Sequence, residues 1–265
     1  MFKTRLLSGI ILMVITITLV VIGGNLLFTT TAIISVIGMA ELNRSVKKHL
    51  TLPAILGYCA GLTYYLLLYF NNSQYYMTFF ILFLMVLMVV YVFTFPKYKI
   101  EDITIVYFGL FYVSIMLSYI YQVRMLEDGS LLVWLIFIGA WGSDTCAYCT
   151  GMLFGKHKLT PKLSPKKTVE GSIGGVVGAA LIGFIYASFF KDSITDISNP
   201  QLAFAIIGGA SSIIAQIGDF AASAVKRNHD IKDYGNLIPG HGGILDRFDS
   251  IIFTAPIVYY LAVLL

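Results

Sequence analysis

Charge is what this sequence has least of. Of 265 residues only 14 are acidic and 18 basic, 12% together, against roughly 25% in an average soluble domain. With 58% hydrophobic residues and a mean hydropathy of +0.83, the chain has too few charged side chains to clothe a water-facing surface. A soluble globular protein is excluded, and lipid must be the solvent for most of its surface. Cysteine is scarce as well. Cys59, Cys146 and Cys149 give no secreted-type disulfide framework. Cys146 and Cys149 form one CxxC, but no second pair completes a zinc site and i,i+3 helical spacing does not favour a disulfide; packing is expected of them. Internal repeats and low-complexity tracts are missing too. So is the apolar–polar alternation of a membrane β-barrel.

What the sequence has in quantity is long apolar runs. An uncharged stretch of about 17–20 residues crosses a ~30 Å hydrocarbon core as a helix. Nine are predicted, at 6–22, 25–43, 52–70, 76–95, 103–121, 131–150, 171–190, 201–221 and 248–265. The first two share an uncharged run from Leu6 to Ala40, so a tight hairpin is expected at Gly23-Gly24-Asn25. Lys3 and Arg5 before an apolar core also suit a signal peptide, but eight further spans favour an uncleaved first helix. The expected fold is an all-α polytopic integral membrane protein of about nine transmembrane helices, one domain over 1–265. Residues 1–130 are expected to pack and to give lipid access, and 131–265 to carry the active site.

Orientation follows from the basic residues. Nine crossings place 16 of the 18 on the side of the N-terminus, leaving only Arg124 and Lys191 on the other. A cytoplasmic N-terminus is expected, in the inner membrane if the source is bacterial, with the active site facing the cytoplasm.

The few charges are not spread evenly. Windows 144–170 and 219–249, about a fifth of the chain, hold 16 of its 32 charged residues. Asp144 and Asp219 lie inside predicted spans, where an ionised carboxylate costs roughly 2.5–3.5 kcal/mol at the bilayer centre and less near its edge. Asp219, Ser223 and Lys226 are spaced to share one helical face. Then comes Pro239-Gly240-His241-Gly242-Gly243, a stretch that lets backbone N–H groups approach an anion ahead of a helix N-terminus. That helix opens with Asp246 and Asp249, three apart. Oxygen ligands without a His/Cys pattern suit a hard cation such as Mg²⁺, which bridges carboxylates to substrate phosphates. These residue types describe a metal-assisted phosphoryl or nucleotidyl transfer site at the membrane edge. In the basic stretch Lys156–Lys167, Pro165 is expected to stiffen a turn presenting Lys166 and Lys167 together. Gly151 to Lys156 is no P-loop, because it is one residue short and lacks the Ser/Thr. Gly171, Gly174, Gly175 and Gly178 read as small-residue helix packing. Glu41 is left open between a site member and an interfacial charge.

The 27 residues from Ser223 to Asp249, Ser-Ala-Val-Lys-Arg-Asn-His-Asp-Ile-Lys-Asp-Tyr-Gly-Asn-Leu-Ile-Pro-Gly-His-Gly-Gly-Ile-Leu-Asp-Arg-Phe-Asp, resemble the signature of the phosphatidate cytidylyltransferase (CDP-diacylglycerol synthase) family. A second block, Asp144 to Tyr148, Gly155-Lys156 and Ser164 to Gly171, is similar to the same family. The resemblance implies the reaction of CTP with phosphatidic acid to CDP-diacylglycerol and pyrophosphate, with Mg²⁺ and a second cation. It implies Asp219 and Asp246 as metal ligands and, with Lys226, as the catalytic residues. Asp144 and Asp249 become further ligands or supports. Lys226 and Arg227 are implied as phosphate contacts, and Ser223 as part of the metal or phosphate shell. Lys166, Lys167, His241, Gly242 and Gly243 would hold the triphosphate, and Arg247 completes the substrate-binding set. Partners are then CTP, phosphatidic acid and the bilayer, with no nucleic acid; a homo-oligomer, a dimer, is expected. A CTP-dependent polyisoprenoid kinase is the alternative with a similar membrane layout. A secondary transporter is less well matched, since its charges would sit near the midplane and be served by repeats.

Overall fold

A computed structural model describes residues 2–265, with the side chains of residues 1–4, Lys3 among them, outside the description. Among the described residues nine helices are long and apolar enough to cross a membrane. They are α1 (Phe2–Ile22), α2 (Gly24–Ser45), α3 (Leu52–Tyr69), α4 (Tyr76–Phe93), α5 (Ile100–Arg124), α6 (Gly129–Phe154), α7 (Val169–Phe190), α8 (Pro200–Asn228) and α9 (Leu245–Leu264). The protein is therefore an integral membrane protein.

The expected hairpin between the first two spans shrinks to one residue. Gly23 alone separates α1 from α2, and Gly23 and Gly24 adopt φ of 65° and 53°, values that a side chain would disfavour. Most predicted spans are a few residues short of the real helices, because polar and charged residues continue α-helix beyond the apolar run. The extreme case is α8, which runs seven residues past the predicted 221. Its last turn carries Lys226 and Arg227, where cations complement the C-terminal end of the helix dipole.

The tightest packing joins α6, α7, α8 and α9. The glycines of α7 bring it against α6: a Cβ at Gly174 would enter Thr150, and one at Gly178 would enter Cys146. That is the close backbone approach expected of small residues in lipid. Cys146 packs accordingly, whereas Cys59 and Cys149 are exposed. By contrast α4 buries only Phe83 and Leu87, so the rest of its apolar surface is left to lipid. Two helices widen locally into π-helix, α5 at Leu110–Ile115 and α6 at Ile138–Gly142. Such widened turns are frequent at functional sites, and the one in α6 ends two residues before Asp144.

Each end of the bundle is sewn together by polar contacts. At one, Lys48 pairs with Asp102 at 3.3 Å. At the other, the Asp128 carboxylate accepts from Thr195 N and Asp196 N, and Arg124 donates to Val20 O at 3.1 Å. Between α6 and α7 the basic stretch is a two-stranded antiparallel hairpin rather than a loop, β1 (Lys158–Thr160) with β2 (Ser164–Thr168). Pro165 therefore lies within β2 and does not form the turn expected of it. Strand alternation leaves Lys166 exposed while Lys167 turns inward to Asp219.

Candidate active site

Helix α8 carries the charged residues in a row. Asp219, Ser223 and Lys226 follow at helical spacing, and each of the two ends of that row finds a partner from a different element.

At the deeper end, Lys167 Nζ of β2 lies 2.6 Å from Asp219 Oδ2 and 4.9 Å above the Phe220 ring. The two side chains are 30% and 27% exposed. They open onto a cavity of about 490 Å³ whose polar lining includes Asp144, Lys166, Lys167, Gln216 and Asp219. Ala147, Tyr148, Met152 and Leu159 form an apolar wall. Asp144 is exposed toward it. Ser172 on α7 donates to Gln216 Oε1 and its carbonyl accepts from Gln216 Nε2, which fixes that amide beside Asp219. Thr168 caps α7 by accepting from Gly171 N, and Glu170 accepts from the backbone N–H of Lys156 and His157. The hairpin bearing Lys166 and Lys167 is thus anchored at its base.

At the shallower end, Lys226 Nζ lies 2.9 Å from Asp246 Oδ1, with the side chains 12% and 1% exposed. Asp246 Oδ2 accepts from Tyr234 N at 2.8 Å and from Gly243 N at 3.0 Å. Lys226 also stands 5.4 Å above the Tyr234 ring, and the Tyr234 hydroxyl donates to Ala222 O. Burial pushes the Tyr234 phenol well above its ordinary value, and nearby Tyr112, Asp246 and Asp249 push the same way. It stays protonated and serves as a donor.

The glycine-rich stretch is closed by the protein's own acids. Gly242 has φ 87°, and a Cβ there would meet Asp246 Oδ2. The N–H of Ile244, just before α9, and that of Leu245, its first residue, donate to Glu41 of α2 at 3.0 and 2.8 Å. His241 Nδ1 lies 2.9 Å from Ser8 Oγ of α1. Carboxylates thus hold Gly243 N, Ile244 N and Leu245 N, whereas His241 N donates to Ile238 O.

The structure thus brings Asp144, Lys166, Lys167 and Asp219 together at one cavity. It gathers Lys226, Asp246, Gly242 and Gly243 at a second centre about two helical turns further on. Asp249 is an electrostatic neighbour of Asp219, Lys226 and Arg247, and so of both centres. Ser223 is half-buried on the α8 face that joins them, and Arg227 is exposed, donating weakly to Ile231 O. Arg247 is half-buried with a buried Nε that has no hydrogen-bond partner among the described residues. Sequence reasoning did not find Gln216 or the apolar wall, whose residues look like any membrane-helix positions. It left Glu41 undecided because nothing local signals a contact 203 residues away.

Among the described residues, no three His, Cys, Asp or Glu side chains converge as a ready-made metal cage. The donor set nonetheless fits Mg²⁺, which takes one or two carboxylates and completes its shell with substrate phosphates and water. Asp144 and Asp219 on one cavity, with Asp249 adjoining, supply that number.

Fold and site define a polytopic membrane protein with its charged centre gathered at one end of the helix bundle. The sequence model of the cytidylyltransferase family matches residues 3–265, and the chain belongs to that family of nucleotidyl-transferring enzymes. It is 32% identical to the phosphatidate cytidylyltransferase of Bacillus subtilis (strain 168), over 99% of this chain and 98% of that protein. It is 34% identical to that of Staphylococcus haemolyticus (strain JCSC1435), over 98% and 99%. With the phosphatidate cytidylyltransferase of Synechocystis sp. it shares 32%, over 98% and 96%.

Proposed function

We propose that the chain transfers the cytidylyl group of CTP to phosphatidic acid, forming CDP-diacylglycerol and pyrophosphate at the cytoplasmic edge of the membrane. The observation that carries this reading is the half-exposed Lys167–Asp219 pair, which shares one cavity with Asp144 and Lys166. Cations and carboxylates side by side suit a reaction between two polyanions. A phosphatidate oxygen forms a bond to the α-phosphorus, the bond from that phosphorus to the bridging oxygen breaks, and pyrophosphate leaves with the electron pair. The phosphatidate nucleophile is already ionised near neutral pH, so no general base is needed.

Bound Mg²⁺, with a second cation, would neutralise phosphate charge and stabilise the departing pyrophosphate; Asp144 and Asp219 would hold it together with substrate phosphates, with Asp249 and Asp246 adjoining. The other tasks fall to the chain's own residues. Lys167 exchanges Asp219 for a phosphate oxygen, and Lys166 adds a second positive charge at the cavity mouth. Lys226, aimed by Asp246 and braced against Tyr234, meets the charge that develops in the transition state. The apolar wall of Tyr148, Met152 and Leu159 suits a substrate that is partly lipid. The N-terminus faces the cytoplasm in this reading, which the 16-to-2 split of basic residues supports.

The test is product identity. Purified protein given CTP, Mg²⁺ and phosphatidic acid releases pyrophosphate and forms CDP-diacylglycerol. Release of CDP with a polyisoprenol instead would point to the lipid kinase, and absence of both products would end the reading.

A further inference from the structure

The N-terminal half places one acid against the site across more than two hundred residues. Glu41 sits in the last turns of α2 and is 5% exposed. Its Oε1 accepts from Ile244 N and its Oε2 from Leu245 N. Those donors belong to the start of α9, where a helix leaves its N–H groups unpaired and its dipole favours an anion. The residue preceding that helix, Ile244, offers no side-chain cap of its own. Gly235 and Gly243 close on the same carboxylate so tightly that a Cβ at either would run into it.

Asp246 begins where Glu41 ends. It gathers Gly243 N, Tyr234 N and the Lys226 ammonium. Glu41 thus pins both glycines and the first turn of α9, and Asp246, carried on that turn, aims Lys226. Each link is buried and hydrogen-bonded, so a displacement at Glu41 reaches the Lys226 Nζ through only two steps. A carboxylate that merely filled an interfacial gap would need neither both oxygens engaged nor two glycines facing it.

We infer that Glu41 is a positioning residue for the Lys226–Asp246 pair, which makes α2 part of the active-site support. Only the activity assay rests on the cytidylyl-transfer reading. Glu41→Gln keeps the size but turns an NH₂ toward one of the two N–H donors. The kcat for pyrophosphate release from CTP and phosphatidic acid should fall about ten- to a hundredfold, the loss of one charge-assisted hydrogen bond. KM for either substrate should change much less. Glu41→Asp, which retains two oxygens, should recover part of the rate. Because Glu41 acts through Lys226, the double variant Glu41→Gln/Lys226→Arg should be no slower than the worse single variant, whereas independent sites would multiply their losses.

Hydrogen exchange supplies a readout that needs no substrate. In Glu41→Gln the segment 234–246 should exchange faster while α7 is unchanged. An unchanged kcat with only a lower melting temperature would overturn the inference, as would multiplied losses or unaltered exchange in 234–246. If the unmodified protein releases no pyrophosphate, the transfer reading fails, and the exchange experiment alone still decides whether Glu41 holds this segment.

Discussion

Lys167–Asp219 and Lys226–Asp246 use the same two side chains at N···O distances of 2.6 and 2.9 Å, yet they differ in almost everything else. The first spans β2 and α8 beside an open cavity, with both partners more than a quarter exposed. An exposed pair of this kind is worth about 0–1 kcal/mol, so either partner can be traded for a ligand at little cost. The second is buried, and Asp246 also satisfies two backbone donors. Removing one partner of such a pair costs roughly 3–5 kcal/mol. Identical chemistry thus yields an exchangeable contact in one place and a fixed strut in the other, and burial makes the difference.

Substitutions can break or sharpen that contrast. The largest effect is expected for Asp219→Asn, with kcat reduced about a thousandfold through loss of metal and phosphate neutralisation. Its melting temperature in detergent should be unchanged, and a large drop in melting would make the open pair a strut after all. Asp246→Ala should instead lower stability by roughly 3–5 kcal/mol, read as early denaturation; a normally stable but inactive protein would put Asp246 among the exchangeable residues. Lys226→Ala should reduce turnover about a hundredfold at saturating CTP, and an unchanged rate would remove Lys226 from the chemistry. His241→Ala should cost no more than about fivefold in kcat/KM, because a single hydrogen bond contributes about 1 kcal/mol and this one goes to Ser8 of α1. A hundredfold loss would show that the glycine-rich loop cradles the triphosphate. At the small end, chelating Mg²⁺ should stop turnover of CTP but leave the melting temperature of the substrate-free protein in place, since no three-acid cage exists among the described residues to be emptied.

Much of the architecture was legible because bilayer thickness and the scarcity of charge constrain the sequence directly. Among the described residues the nine apolar runs are nine helices; Asp144 lies inside one of them, and Asp219, Ser223 and Lys226 follow one another along a second. What could not be read was long-range pairing. Lys167 meeting Asp219, and Glu41 meeting α9, depend on how helices distant in sequence are arranged. The stretch Gly240–Gly243 shows the limit most clearly. Glycines before a helix mark a place where an anion comes close to the backbone, and that inference holds. The sequence alone does not say whose anion it is, and here Glu41 and Asp246 hold the bonded donors. The hairpin of Lys158–Thr168 escaped notice because two short polar strands lack the apolar alternation that announces a sheet.

The attachment of α1 bears on how the protein is assembled during synthesis. That helix is mostly bare, with 6% of its apolar window buried, and it is held chiefly near its two ends. Ser8 meets His241, 233 residues later, and Val20 meets Arg124, 104 residues later. While the chain is being made, α1 has α2 beside it early, but its contact with His241 has to wait for residues more than two hundred positions later. Helices in lipid can insert first and associate afterwards, and a mean hydropathy of 2.5 over this window lets α1 wait in the bilayer. Its docking against residues 239–241 has to wait until that loop is made, more than two hundred residues after Ser8.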